Sequence, residues 1–247
     1  MENSKKIMNC RSLLTSSWQE YVANFSKFIM IYVYGLVGLI PIAVVSLLAT
    51  LVIFTGVWSN IPFAAQMSLG FLFAILVICS IIFAVYYGLR VKVATLLLIK
   101  NNYSETSENF ANSKHYVWGM LGVSLLMFVV ILAWGFVFLI PAIIFGVYYM
   151  FASYVLVIEN KRSFSAMERS YDLVHGFWWP AFGRIILLGF IGMVVFMILS
   201  WPLNFMSENS WPFMFYNIII NVIWMAISPY FVVYYYNIYK SLNEQNQ

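Results

Sequence analysis

Side chains able to carry chemistry are scarce in this sequence. The 247 residues include nine Asp and Glu, thirteen Lys and Arg, and two His. His115 and His175 lack a neighbouring third ligand, which makes them a poor metal site. Cys10 and Cys79 lie too far apart in sequence to indicate a disulfide framework or a metal knuckle. No glycine-rich phosphate loop and no nucleophile elbow is found. We therefore predict no catalytic, cofactor-binding or metal-binding residues.

One group of basic residues is a candidate for binding. Lys161, Arg162 and Arg169 follow a long apolar stretch, where cations can meet anionic lipid headgroups. Glu159 and Asp172 stand in the same segment, so ion pairs at a solvated surface are the alternative reading.

A second candidate is a pair of amides. Asn217 and Asn221 are four residues apart, so they share one face of a helix. An amide that faces lipid without a partner carries a desolvation cost, so we expect this face to turn inward. Hydrogen bonds between helices are the usual role of such residues, and a substrate pathway is the alternative.

The elements that position these residues belong in lipid. Hydrophobic residues make up 63% of the chain and charged residues 9%, whereas soluble domains carry about 25% charged residues. A soluble fold of this size does not have enough charge to cover its surface. We predict an all-α integral membrane protein, with membrane lipids as its partners and no role in binding nucleic acid.

Six uncharged or nearly uncharged runs are long enough to cross a bilayer as helices, which takes about 20 residues. The third and fourth runs are continuous except for Pro141, where we expect a tight hairpin. The chain is thus predicted to be a single six-span domain over residues 1–247, with an N-terminal segment at 1–27 and a tail at 237–247. The spans cover residues 28–54, 67–89, 117–140, 142–158, 182–201 and 213–236.

The basic residues predict the orientation. Twelve of the thirteen Lys and Arg fall before the first span, after the last, or in the second and fourth connections. Arg184 stands at the start of the fifth span, next to the fourth connection, and the other connections hold none. Basic loops remain on the cytoplasmic side of a membrane. We therefore predict a multi-pass protein of the cell membrane with both termini in the cytoplasm.

The polar segments between spans have a pattern of their own. From Ser165 onward, charged and apolar residues separate onto opposite helical faces, which predicts an amphipathic helix at the membrane surface. Residues 103–141 also align with residues 164–202 at a constant offset of 61, so that Trp118 meets Trp179. We predict two or three cytoplasmic interfacial helices and a parallel internal repeat.

A family resemblance rests on residues 148–199. The run Ala-Ser-Tyr-Val-Leu-Val-Ile-Glu-Asn at 152–160 is followed by Ala166, Ser170, Leu173-Val174, Gly176 and Trp178-Trp179. This pattern resembles the membrane domain found with glycerophosphoryl diester phosphodiesterases, and related uncharacterised six-span bacterial membrane proteins are similar. In fused members the hydrolysis belongs to a separate metal-binding barrel, for which this chain has no room. The resemblance therefore implies no catalytic residue here.

These observations favour a non-catalytic membrane module with a structural, lipid-interacting or partner-anchoring role. A transporter or exporter of a small or lipid-like solute is the second hypothesis, and it requires a polar inner face shared by several spans. An intramembrane lipid-modifying enzyme is the third, and it requires ionisable residues at depth in the membrane.

Overall fold

The structure, a computed structural model, describes residues 8–208 and 210–245. It is built from α-helices and short 3-10 turns, and the described residues contain no β-strand, which confirms the all-α prediction. The α-helices are α1 Cys10–Ala23, α2 Phe25–Gly35, α3 Ile40–Phe54, α4 Val57–Asn60, α5 Phe63–Lys100, α6 Thr106–Asn112, α7 Val117–Val137, α8 Leu139–Tyr149, α9 Ala152–Ile158, α10 Ser163–Val174, α11 Trp178–Ser200 and α12 Trp211–Gln245; the 3-10 turns are Leu36–Leu39, Ser113–Tyr116 and Trp201–Phe205.

Six helical segments are long and apolar enough to cross a membrane, which confirms the number predicted from the apolar runs. The chain therefore has the character of a multi-pass membrane protein. We number these segments span 1 to span 6 in chain order. They are Phe25–Phe54, Phe63–Lys100, Thr106–Gly135, Leu139–Ile158, Trp178–Phe205 and Trp211–Gln245.

Span 2 is longer than the sequence predicts. Helix α5 continues to Lys100 instead of ending at residue 89, so Arg90 and Lys92 lie on the helix and not in a loop. Residues 93–99 are all buried, which means that this end of the helix is surrounded by protein. A charge at the membrane surface limits the lipid-facing part of a helix, but it does not stop a helix that continues into a protein core.

The hairpin between spans 3 and 4 lies three residues before its predicted position. Helix α7 ends at Val137, Phe138 is extended with φ −156° and ψ 135°, and α8 begins at Leu139. Pro141 therefore lies in the first turn of α8, where its missing amide hydrogen leaves no helix bond unmade. The rings of Trp134 and Phe145 stack across the hairpin, with their centroids 5.1 Å apart.

The buried core lies at one end of the spans. Fully buried side chains come from α1, α10, α12 and the junction of α8 with α9, as Leu13, Leu173, Tyr234, Leu242 and Phe151 show. By contrast, α3 contributes no buried residue. This contrast follows from the solvent, because lipid is as apolar as leucine and gives apolar side chains no reason to leave it.

Helix α10 has the predicted amphipathic pattern. Ala166, Ser170 and Leu173 are buried, whereas Glu168 and Asp172 are exposed. The buried face contacts α7, α8, α9 and α12, and the Ser170 hydroxyl donates to the Tyr148 carbonyl oxygen at 2.7 Å. Other parts of the protein therefore cover much of the face expected to lie on the membrane.

The predicted repeat matches the structure at the entry into the spans. Trp118 and Trp179 are the second residues of α7 and α11, and they are 77% and 76% exposed. The polar segments differ, because Tyr103 lies in a loop with a left-handed φ of 58°, whereas the aligned Phe164 lies in the first turn of α10. The two copies thus share the position of the interfacial tryptophan and diverge before it.

Candidate functional site

A large cavity lies where spans 2, 3 and 4 meet the start of α10. Its volume is about 1290 Å³. The end of α5, the 3-10 turn Ser113–Tyr116, the first half of α7 and the loop that joins α9 to α10 form its walls. The basic residues that line it are Lys100, His115, Lys161 and Arg162, and the large apolar residues are Leu97, Trp118, Leu125, Leu126, Leu156 and Phe164.

Asparagines in the left-handed conformation end the helices that supply two of these walls. Asn102 follows α5 with φ 49°, and Asn160 follows α9 with φ 56°. Asparagine enters this region more readily than most residues. After α5 the Tyr103 amide donates back to the Leu98 carbonyl oxygen at 2.7 Å, which closes the helix end. The backbone therefore turns sharply after α5 and after α9, and the nearby basic residues Lys100, Lys161 and Arg162 lie at the rim of the cavity.

The loop between α9 and α10 is held against α7 at two glycines. The Ser163 hydroxyl donates to the Gly119 carbonyl oxygen at 3.1 Å. A Cβ at Gly122 would lie 2.7 Å from the Ser163 oxygen, so this close approach depends on the absence of a side chain. On the opposite wall the Lys100 ammonium donates to the Val157 carbonyl oxygen at 2.7 Å. These contacts fix the loop and place Lys161 and Arg162 at the cavity.

The cavity carries a net positive charge. Lys161 lies 3.4 Å from the Glu159 carboxylate, which offsets part of its charge. The Arg162 side chain is exposed and has no hydrogen-bond or ion-pair partner among the described residues. No carboxylate is among the described residues that line the cavity. Cations beside leucine and aromatic side chains suit a ligand that has both an anionic and an apolar part.

Arg169, the third basic residue of the predicted group, lies in a different environment. Its guanidinium is 3.6 Å from the Glu159 carboxylate and donates to the Asn243 side-chain oxygen at 2.8 Å. The Tyr239 hydroxyl donates to the same carboxylate at 2.8 Å. Arg169 therefore joins α10 to α12, and it does not line the cavity.

A polar cluster on the other side of α12 was not predicted from the sequence. The Glu20 carboxylate accepts hydrogen bonds from the Tyr103 hydroxyl at 2.5 Å and from the Asn237 amide at 3.1 Å. The Lys27 ammonium donates to the Tyr103 carbonyl oxygen. Burial and the neighbouring Glu20 carboxylate raise the pKa of the Tyr103 hydroxyl well above its usual value. This cluster fixes α1, α12 and the loop after α5 to one another.

The two amides of span 6 differ in exposure, because Asn217 is half-buried and Asn221 is exposed. The Asn221 amide donates to the Asn217 backbone oxygen at 2.8 Å and to its side-chain oxygen at 2.7 Å. Asn221 is exposed, so the expected inward orientation is wrong for this residue. The Asn221 amide thus finds its hydrogen-bond acceptors on its own helix, whereas the sequence suggested acceptors on a second helix.

The two histidines are in separate surroundings. His115 lines the cavity, whereas the His175 ring stacks on Tyr171 with centroids 5.6 Å apart. Among the described residues no group of three or more metal-ligating side chains is found.

Sequence reasoning missed the role of Lys100, His115, Trp118 and Phe164 in this cavity. His115, Trp118 and Phe164 were visible as residues within about six positions of a predicted span end or re-entry, whereas Lys100 stood in the middle of a predicted connection. Their convergence was not visible, because the segments around residues 97–101, 112–126 and 156–165 are brought together by helix packing alone.

Comparisons with protein-family models, with curated proteins and with solved structures gave no match. The site and fold therefore define the class only as a multi-pass helical membrane protein. The resemblance to the phosphodiesterase-associated membrane domain stays a prediction from sequence.

Proposed function

We propose that this protein is a non-catalytic module of the cell membrane that binds anionic lipid in the basic cavity between spans 2, 3 and 4. The observation that carries the proposal is the composition of the cavity wall. Lys100, Lys161 and Arg162 stand beside leucine and aromatic side chains, and no carboxylate is among the described lining residues.

The distribution of basic residues supports a position at the cytoplasmic leaflet. All thirteen Lys and Arg lie outside the first, third and fifth connections between spans, so the cavity opens on the basic side. The positive-inside rule then assigns this side, and both termini, to the cytoplasm. The cytoplasmic leaflet is rich in anionic lipid, and each nearby Lys or Arg contributes about 1 kcal/mol of attraction.

The test compares two charge-removing variants in lipid nanodiscs. Lys161→Gln with Arg162→Gln removes two charges from the cavity, whereas Lys114→Gln with Lys240→Gln removes two exposed charges that do not line it. We expect the cavity variant to lose about 30-fold in affinity for phosphatidylglycerol, which corresponds to about 2 kcal/mol. Native mass spectrometry of retained lipid measures this difference.

The control variant should retain nearly all of the lipid bound by the wild type. An equal loss of lipid in both variants would mean that the basic surface attracts lipid in general and that the cavity is not a specific site. Full retention in the cavity variant would contradict the proposal. Thermal unfolding of each purified variant excludes loss of fold as the cause.

A further inference from the structure

We propose that the cavity seats one phospholipid that enters sideways from the membrane. The headgroup phosphate lies among His115, Lys161 and Arg162, and one acyl chain leaves between Trp118 and Phe164 along α7. This inference rests on the proposed function and adds the ligand's chemistry and its path.

The exposed aromatic residues mark the exit for the acyl chain. Trp118 and Phe164 both line the cavity, yet they are 77% and 75% exposed. Their side chains therefore border the cavity and face the outside of the bundle at the same time. Aromatic rings of this kind lie at the boundary between headgroups and hydrocarbon.

Leu125 continues the path away from the rim. It lines the cavity, is 54% exposed, and lies about two helical turns beyond Trp118, or about 10 Å along α7. A chain that leaves the rim between the aromatic residues thus meets a leucine on the same helix. The wall changes from basic to apolar along the direction in which a phospholipid changes from phosphate to hydrocarbon.

Size and wall chemistry favour a lipid over a soluble anion. The volume of about 1290 Å³ exceeds the usual range for small-ligand pockets, which is about 300–1000 Å³. A free phosphate at the rim would leave the exposed side chains of Trp118, Leu125 and Phe164 uncovered. An acyl chain covers these side chains and removes their apolar surface from water.

Arg162 is the main phosphate contact in this arrangement. It has no partner among the described residues, whereas Lys161 already lies 3.4 Å from Glu159. A guanidinium binds two phosphate oxygens at once, and an ammonium acts as a single point of charge. Arg162→Lys should therefore weaken lipid binding severalfold although the charge is unchanged.

The repeat supplies a matched control for the acyl path. Trp179 occupies the same position at the start of α11 as Trp118 does in α7, and it is 76% exposed. It does not line the cavity. Trp179→Ala therefore removes an equally exposed ring from the same depth without touching the proposed path.

The experiment uses the full chain in phosphatidylcholine nanodiscs that contain dioleoyl phosphatidylglycerol. We expect Trp118→Ala with Phe164→Ala to lower phosphatidylglycerol retention at least tenfold, and Trp179→Ala to leave it unchanged. Glycerol 3-phosphate, which carries an anionic phosphate without acyl chains, should not displace the lipid. In the wild type, phosphatidylglycerol with a photoreactive acyl chain should label α7 between Trp118 and Leu126.

The outcomes separate this inference from the proposed function. Displacement by glycerol 3-phosphate at the concentration of the lipid would identify a soluble-phosphate site and overturn the acyl path. Retention by the aromatic variant, together with loss in the Lys161 and Arg162 variant, would also overturn the path and leave headgroup binding intact. Retention by both variants would overturn both proposals. Photolabelling confined to other helices would contradict the path even if the aromatic variant proved unstable.

Discussion

The contact between spans 1 and 2 depends on Gly38, and a single methyl group should disrupt it. Gly38 is buried in the 3-10 turn Leu36–Leu39 that interrupts span 1. A Cβ built on it would lie 2.5 Å from the Tyr87 Cβ and 3.1 Å from the Tyr87 Cγ. Carbon atoms in contact prefer about 3.5–4.0 Å. Because the Tyr87 Cβ is attached directly to the α5 backbone, no change of rotamer removes the clash, and the two spans must separate.

The expected cost follows from a comparison with a second glycine. Overpacking by one methyl group costs about 1–3 kcal/mol. Replacing Gly by Ala also stabilises a helix by up to about 1 kcal/mol through the higher helix propensity of Ala. Gly88→Ala on α5 has the same gain in propensity, but its Cβ meets nothing within 4 Å. The difference between Gly38→Ala and Gly88→Ala should therefore be about 1–3 kcal/mol, which is about 2–12 °C in the unfolding midpoint.

Thermal unfolding of both variants in the same detergent, followed by size-exclusion recovery after heating, measures this difference. The reasoning is refuted if Gly38→Ala unfolds at the same temperature as Gly88→Ala. A decrease in both variants would also refute it, because it would assign the loss to the helix backbone and not to the contact with Tyr87.

Two further predictions concern topology and alkaline pH. Reporters fused after residue 247 and between residues 100 and 114 should be active only as cytoplasmic fusions, and one near Glu208 should report the opposite side; an external signal at residue 247 would change the number of crossings. Because the pKa of Tyr103 is raised in the folded chain, its hydroxyl stays protonated above pH 10 when folded but ionises when unfolded. The contribution of the protonated Tyr103 hydroxyl to folding stability is therefore complete below pH 10 and decreases above it. The unfolding midpoint of the wild type should fall more steeply above pH 10 than that of Tyr103→Phe, and parallel curves would contradict this role.

The number of spans was predictable because bilayer thickness sets a minimum length for an apolar helix. Their ends were less predictable. Helix α5 passes through the charges at Arg90 and Lys92 because residues 93–99 are buried in protein, and a hydropathy pattern does not distinguish burial in protein from burial in lipid. The hairpin at Phe138 shows the same limit, since proline suits the first turn of a helix as well as the break before it.

The candidate site was only half predictable. Lys161 and Arg162 were expected to face headgroups, and both line the cavity. Arg169 belongs to the same run of sequence, yet α10 turns it towards Asn243 of α12. Which residues of a basic loop meet the same ligand depends on helix rotation and on contacts with distant segments, and sequence spacing alone does not contain this information.

The basic residues at this end of the molecule divide into two kinds, and the division locates the site. Lys27, Lys100 and Arg169 each donate to an oxygen of another segment, so their charges are used to hold the helices together. Arg162 has no such partner among the described residues, and it lies on a loop that Ser163 fixes to α7. A count of positive charges includes paired and unpaired basic residues alike, so it predicts the orientation in the membrane but does not distinguish the two kinds. A cation that is positioned by the fold and left unpaired is the one best placed to bind an anion, and Arg162 meets both conditions at the cavity between spans 2, 3 and 4.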